Sequence, residues 1–133
     1  MRLRHARHNE NTCKHLKDTG QFNDWVITTA FYSAIHFIDH ELFPKQYEDP
    51  TNGRPRMFHN FESYYLRTDR TENKHKVRQN LVDDYIPELS DEYQTLKDNC
   101  WNARYVDYSF TTDVSDLCYN CMQRVKEICE PAV

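Results

Sequence analysis

The chain has 133 residues, of which 38% are hydrophobic, 14% aromatic and 29% charged, with a formal net charge of −4. That length suits one domain over residues 1–133 with a core of its own, and the aromatic content argues against disorder. Two glycines and five prolines leave little turn chemistry for an all-β fold.

No run approaches 18 consecutive apolar residues, so neither a span nor a membrane partner is expected. The opening Met1-Arg2-Leu3-Arg4-His5 has no apolar stretch behind it to serve as a secretory signal. A cytoplasmic protein with five reduced cysteines is the expectation.

In chain order, residues 3–18 read as a first helix with a thin apolar stripe of Leu3, Ala6, Cys13 and Leu16, stopped at Thr19-Gly20. Asn23 or Asp24 is placed to cap a second helix that runs over residues 24–43, free of Pro and Gly, and ends at Pro44. Apolar residues lie all round its wheel, so it is expected at the centre of the domain, with Thr28, Ser33, His36, Asp39 and His40 carried inside or along a groove. Residues 44–56 hold three prolines and Asn52-Gly53 and read as a long loop.

Residues 57–67 read as a short helix or as irregular chain. A further helix starts near residue 72, with Val77, Leu81 and Tyr85 on one face, and Pro87 ends or kinks it. Leu89, Tyr93, Leu96, Cys100 and Ala103 step by four, three, four and three, which is a helical stripe. Residues 106–112 form a break, and a last helix runs from Asp113 to Pro131. No segment alternates as a strand. The expected fold is all-α, an up-and-down bundle of four or five helices around the buried central one.

Charge is uneven along the chain. Residues 1–78 hold 13 Lys and Arg against 10 Asp and Glu, and residues 79–133 hold 4 against 11. Such a dipolar chain can carry an anion-binding face although its net charge is negative.

Four groupings bear on chemistry. Cys118-Tyr119-Asn120-Cys121 has the CxxC spacing, but no βαβ context for redox work and no second ligand pair for zinc, so core packing is its expected role. His36 and His40 stand at i and i+4 on one helical face, and Glu72-Asn73-Lys74-His75 is a single Glu-x-x-His. A di-iron bundle needs two of the latter with two further glutamates, and no metal or other cofactor is expected. Arg70 and His75 are separated by four residues at a helix start, with Lys74, Lys76 and Arg78 adjoining. Helix N-termini favour anions, and a His beside an Arg can act as acid or base on a phosphodiester while the Arg stabilises developing charge. Arg54 and His59 share the spacing but lie in the loop. Arg104 beside Tyr105 is either a structural ion-pair partner or a ligand contact.

Taken together, Asp24-Trp25, Ala30-Phe31-Tyr32-Ser33-Ala34-Ile35-His36, His75-Lys76-Val77-Arg78, Tyr93 to Leu96 and Ala103-Arg104-Tyr105 resemble, over most of residues 5–129, the HEPN-like superfamily of small helical proteins. The resemblance implies a helical bundle, usually a homodimer. Many HEPN proteins are metal-independent ribonucleases with an Arg-x(4–6)-His motif completed across the dimer. Others bind RNA or nucleotides, or serve in toxin–antitoxin pairs and assemblies. Carried onto this chain, the pair is Arg70 and His75. This chain differs in that no histidine follows His75, and Arg104 is followed by Tyr105 and Asp107.

The expected function is thus an RNA- or nucleotide-directed protein of defence or toxin–antitoxin type. In a ribonuclease, His75 is the acid/base and Arg70 the phosphate-stabilising group, with His36, Arg78, Arg104 and Tyr105 lining one groove. An antitoxin is a possible protein partner. The alternative is a non-catalytic interaction or assembly module, and a third reading is a metal site at His36 and His40.

Overall fold

The computed structural model describes residues 2–105 and 111–130. Six α-helices and one hairpin are present among them: α1 Arg2–Thr19, α2 Asn23–Leu42, β1 Lys45–Glu48, β2 Pro55–Phe58, α3 Phe61–Tyr65, α4 Lys74–Tyr85, α5 Ser90–Tyr105 and α6 Thr112–Cys129. A 3-10 turn, Pro87–Leu89, joins α4 to α5. Of the break expected over residues 106–112, residues 106–110 lie outside the described residues, as does Pro131. No described helix is long and apolar enough to cross a membrane.

Helix α2 occupies the centre, and α1, α4, α5 and α6 all pack against it. Twelve of its twenty residues are buried, as expected of a helix apolar on every side. Helix α1 lies antiparallel to it. Ser33 Oγ donates to the Ala6 carbonyl at 2.8 Å and Cys13 Sγ to the Val26 carbonyl at 3.3 Å. Both small polar groups are thereby satisfied inside the core.

The turn between α1 and α2 is made by Gly20, whose φ of 70° is the left-handed conformation in which glycine carries no Cβ penalty. Phe22, rather than Asn23 or Asp24, is the N-cap of α2, and its carbonyl receives the Val26 N–H at 2.9 Å. The stripe of α5 is buried throughout, Tyr93, Leu96, Cys100 and Ala103. In α6, Cys118, Met122, Val125 and Cys129 face the core, whereas Leu117 is exposed.

The segment expected to be a long loop and a helix or irregular chain begins instead as an antiparallel hairpin, with Lys45 opposite Phe58 and Glu48 opposite Pro55. Alternation is hard to see in four-residue strands of which only Tyr47 and Phe58 are buried. What closes the hairpin is Asp49. Its backbone N–H donates to the Arg54 carbonyl, its own carbonyl accepts from Asn52 and Gly53, and Gly53 adopts φ 72°. Its carboxylate is almost wholly buried and is gripped by Arg67 through Nε at 3.1 Å and Nη2 at 2.7 Å. The Thr51 N–H donates to it at 2.9 Å, and Arg56 stands at 3.5 Å.

Aromatic edges fasten the hairpin to the bundle: Tyr47 meets Phe43, Tyr64 and Tyr85 with centroids 4.8 to 5.7 Å apart. Helix α3 follows, capped by the Asn60 side chain on the Ser63 N–H, and α4 is capped by Asn73 on the Lys76 N–H. Helix α4 therefore starts two residues later than the sequence pattern suggests.

The Arg67 hydrogen bond holds the Asp49 carboxyl well below the usual carboxylate range, against the opposing effect of burial. A folded-state value below the unfolded one contributes stability above about pH 4 that is lost as the pH falls further. In urea unfolding, the stability gap between wild type and Asp49→Asn is expected to be full above pH 5 and to close at lower pH. A gap independent of pH contradicts this account.

Candidate functional site

Two clefts flank the seam where α4 crosses α2. On α2, Tyr32 faces one cleft and His36 the other. On α4, His75 faces the first and Arg78 the second. One helical turn on each helix thus separates the two.

At the seam itself Arg78 is buried. Its Nε and Nη2 donate to the two carboxylate oxygens of Asp39 at 2.9 and 3.1 Å, and its guanidinium lies over the Phe61 ring at 4.0 Å. Burial works against the Arg78 charge, but Asp39 more than offsets it and the pKa is raised. Tyr93 stands behind the pair, and its hydroxyl donates to the His75 carbonyl at 3.2 Å.

The first cleft, of about 450 Å3, is aromatic and basic. His75, in the first turn of α4, rests on Phe31 with ring centroids 5.2 Å apart. Across from it, α5 contributes Lys97, Trp101, Arg104 and Tyr105. Trp101 and Tyr105 are exposed and close to each other, with centroids 4.5 Å apart. Arg104 donates to the Tyr32 hydroxyl and its guanidinium stands 5.6 Å from the Tyr105 ring centre. Three fixed cations, Lys76, Lys97 and Arg104, face one carboxylate, Asp98.

The second cleft, of about 580 Å3, is lined by four histidines. His5 comes from α1, His36 and His40 from α2, and His59 from the residue pair before α3. The His5 and His36 rings lie 5.2 Å apart. Arg2 closes one end, donating to the Phe43 and His59 carbonyls at 2.8 and 2.9 Å.

Among the expected site residues, His75, Arg104 and Tyr105 therefore share the aromatic cleft, while His36 and Arg78 share the histidine cleft. The single groove expected for them is two clefts, because Arg78 turns inward to Asp39 and fills the space between. Arg70 lines neither. It is exposed, with φ 59°, a left-handed conformation that costs an L-residue roughly 1–2 kcal/mol, and its N–H donates to Thr68 Oγ1. Among the described residues the hydrogen-bond partner of Arg104 is the Tyr32 hydroxyl.

Among the described residues no group of three or more His, Cys, Asp or Glu side chains is placed to hold a metal ion. Cys118 of the CxxC is buried in the core, which pushes its thiol up to about 12.

Lys97, Trp101, His5 and His59 were not singled out as site residues from the sequence. Trp101 had a usable signal, since it falls off the buried stripe of α5 and stands three residues before Arg104. His5 and His59 had none, because only the packing of α1 and the hairpin end against α2 brings them together. No family model, no curated protein and no solved structure matches the chain.

Burial lowers the pKa of both His36 and His75 from the ordinary 6.5. His5 and Arg78 add to this at His36, against Asp39, and Arg78 and Lys97 add to it at His75. Both imidazoles are therefore neutral at pH 7. Their contribution to stability is present above the unfolded value and is lost as the pH falls through the folded ones. Titration of the ring Cε1–H resonances should give midpoints below 6.5 for both. Lys97→Gln should raise the His75 midpoint and leave that of His36 in place. A His75 midpoint at or above 6.5 contradicts the geometry described.

Proposed function

We propose that the protein is RNA- or nucleotide-directed and binds single-stranded RNA in the aromatic cleft. The observation that carries this reading is the exposed Trp101–Tyr105 pair standing beside Arg104, Lys97 and Lys76. Faces on which bases stack, next to cations that meet the backbone, are the two parts that sequence-tolerant single-strand binding needs. The cations are concentrated locally on a chain whose net charge is −4, so the attraction belongs to the cleft and not to the molecule as a whole. The resemblance to HEPN-like proteins points the same way.

A second reading, a metal-independent ribonuclease, is favoured by His75 in particular. Its neutral imidazole at pH 7 is the form a general base requires. In this cleft the cations available to a developing phosphorane charge are Arg104, Lys97 and Lys76, with Arg70 outside it. A role for Arg70 then calls for a second copy of the chain. A homodimer or an antitoxin-like partner belongs to the same proposal, and the exposed Phe22 and Trp25 are apolar side chains such a contact has available. The free cysteines support a cytoplasmic setting.

Fluorescence anisotropy with a labelled single-stranded RNA, with EDTA present, tests the proposal. Trp101→Ala is expected to weaken binding by roughly 5- to 150-fold, as for the loss of about 1–3 kcal/mol of stacking. Arg104→Gln should weaken binding and flatten its salt dependence. Binding that is indifferent to both substitutions contradicts the reading. Cleavage in the same samples that His75→Gln abolishes, with helicity intact, would establish the ribonuclease; RNA bound and left whole assigns the non-catalytic form.

A further inference from the structure

The RNA reading makes no use of the histidine cleft. Its charges come from every element around it. Helix α1 gives Arg2 and His5, α2 gives His36, Asp39 and His40, the chain entering α3 gives His59 and Glu62, and α4 gives Arg78. Both carboxylates are already engaged. Asp39 uses both oxygens on Arg78, and Glu62 pairs with Lys74 at 2.9 Å. Arg78 is taken up by Asp39, so what is left to a ligand is the Arg2 guanidinium, four imidazoles and the apolar sides of Leu3 and Phe61. About 580 Å3 is ample for a tetrahedral anion with an organic group attached.

We infer that the histidine cleft binds a tetrahedral oxyanion of the phosphate class, and that binding draws a proton onto the His5–His36 pair. With the rings 5.2 Å apart, a charge on one imidazole opposes a charge on the other. His36 feels that opposition already, together with the desolvation of its own site. A dianion bound beside the two rings, in the open volume of the cleft, reverses the balance, because it favours the protonated form of each. The proton taken up then supplies a charge-assisted hydrogen bond to the anion. Arg2 adds a fixed positive charge, while Asp39 and Glu62 are each matched by a cation of their own, Arg78 and Lys74.

Calorimetric titration of the whole chain with sodium sulfate tests this. Sulfate remains a dianion throughout, so its own titration cannot mimic the effect. Binding is expected to be about tenfold tighter at pH 6.5 than at pH 7.5 for one proton fully taken up, with a heat that varies with the ionisation heat of the buffer. His36→Gln and His5→Gln, checked for unchanged helicity, should each remove most of that pH dependence.

Phosphate and adenosine 5′-monophosphate form two further arms. Tighter binding of the nucleotide assigns the site to a phosphoryl end, and equal or weaker binding assigns it to the free anion. Trp101→Ala, which disables the aromatic cleft, leaves sulfate binding in place, so this inference and the RNA reading fail separately. No sulfate binding at millimolar concentration, or an affinity the same at both pH values and in both histidine variants, would overturn it.

Discussion

Everything around the seam depends on the ion pair between Arg78 and Asp39. Two charges taken out of water carry a desolvation cost of several kcal/mol per ion. Here that cost is offset by a two-point hydrogen-bonded contact at 2.9 and 3.1 Å and by the Phe61 face over the guanidinium. The net gain in stability from such a pair is small, and its larger effect is on geometry. A planar guanidinium meeting a planar carboxylate fixes the rotation of α4 about its axis as well as its distance from α2. With that rotation set, His75 faces the aromatic side of the seam one turn before Arg78. The same contact keeps Asp39 from repelling an anion in the histidine cleft. Arg78 is thus structural in one cleft and part of the wall of the other.

A second buried carboxylate performs a comparable task at the edge of the molecule. Asp49 holds its own hairpin turn together and is reached by Arg67 from the end of α3. This ties β1 and β2 to the segment that leads into α4. His59 and Glu62 enter the histidine cleft from that segment, and Arg2 hydrogen-bonds to its backbone. The hairpin therefore acts as a brace for the cleft, although none of its own strand residues lines it. Both devices use Arg with Asp, the pairing whose fork geometry transmits orientation as well as attraction.

The helices were legible because their signals are local. The step pattern of Leu89, Tyr93, Leu96, Cys100 and Ala103 locates the buried face of α5 from the sequence, and all five are buried. The all-round apolar character of residues 24–43 identifies the central helix in the same way. The hairpin was not legible, since two four-residue strands with one buried side chain each leave too short a pattern, and the Asp49–Arg67 contact that secures them spans 18 residues. The start of α4 was legible only approximately: it is expected near residue 72, and Asn73 caps a helix that begins at Lys74.

The site was legible in part for a related reason. His36, His75, Arg78, Arg104 and Tyr105 all line clefts, and each sits in a run of residues with an internal pattern. The Arg-x4-His spacing of Arg70 and His75 assumes that the intervening residues are helical. Here the helix begins at Lys74 and Arg70 precedes it in a left-handed turn, so the spacing no longer sets a direction for the arginine. Of the histidine cluster only His36 and His40 had a local signal, their i and i+4 spacing on one helical face. The cluster itself exists only after α1 and the hairpin end have packed onto α2.

The most direct test of this account is a double-mutant cycle on the seam, with Asp39→Ala, Arg78→Ala and the double variant compared by urea unfolding. Each single substitution leaves a buried charge without its partner and is expected to cost roughly 3–5 kcal/mol. The double variant should be less destabilised than the sum by about 2 kcal/mol or more. Additive losses, agreeing within about 0.5 kcal/mol, would show that the two side chains act independently and that the seam is held by something else.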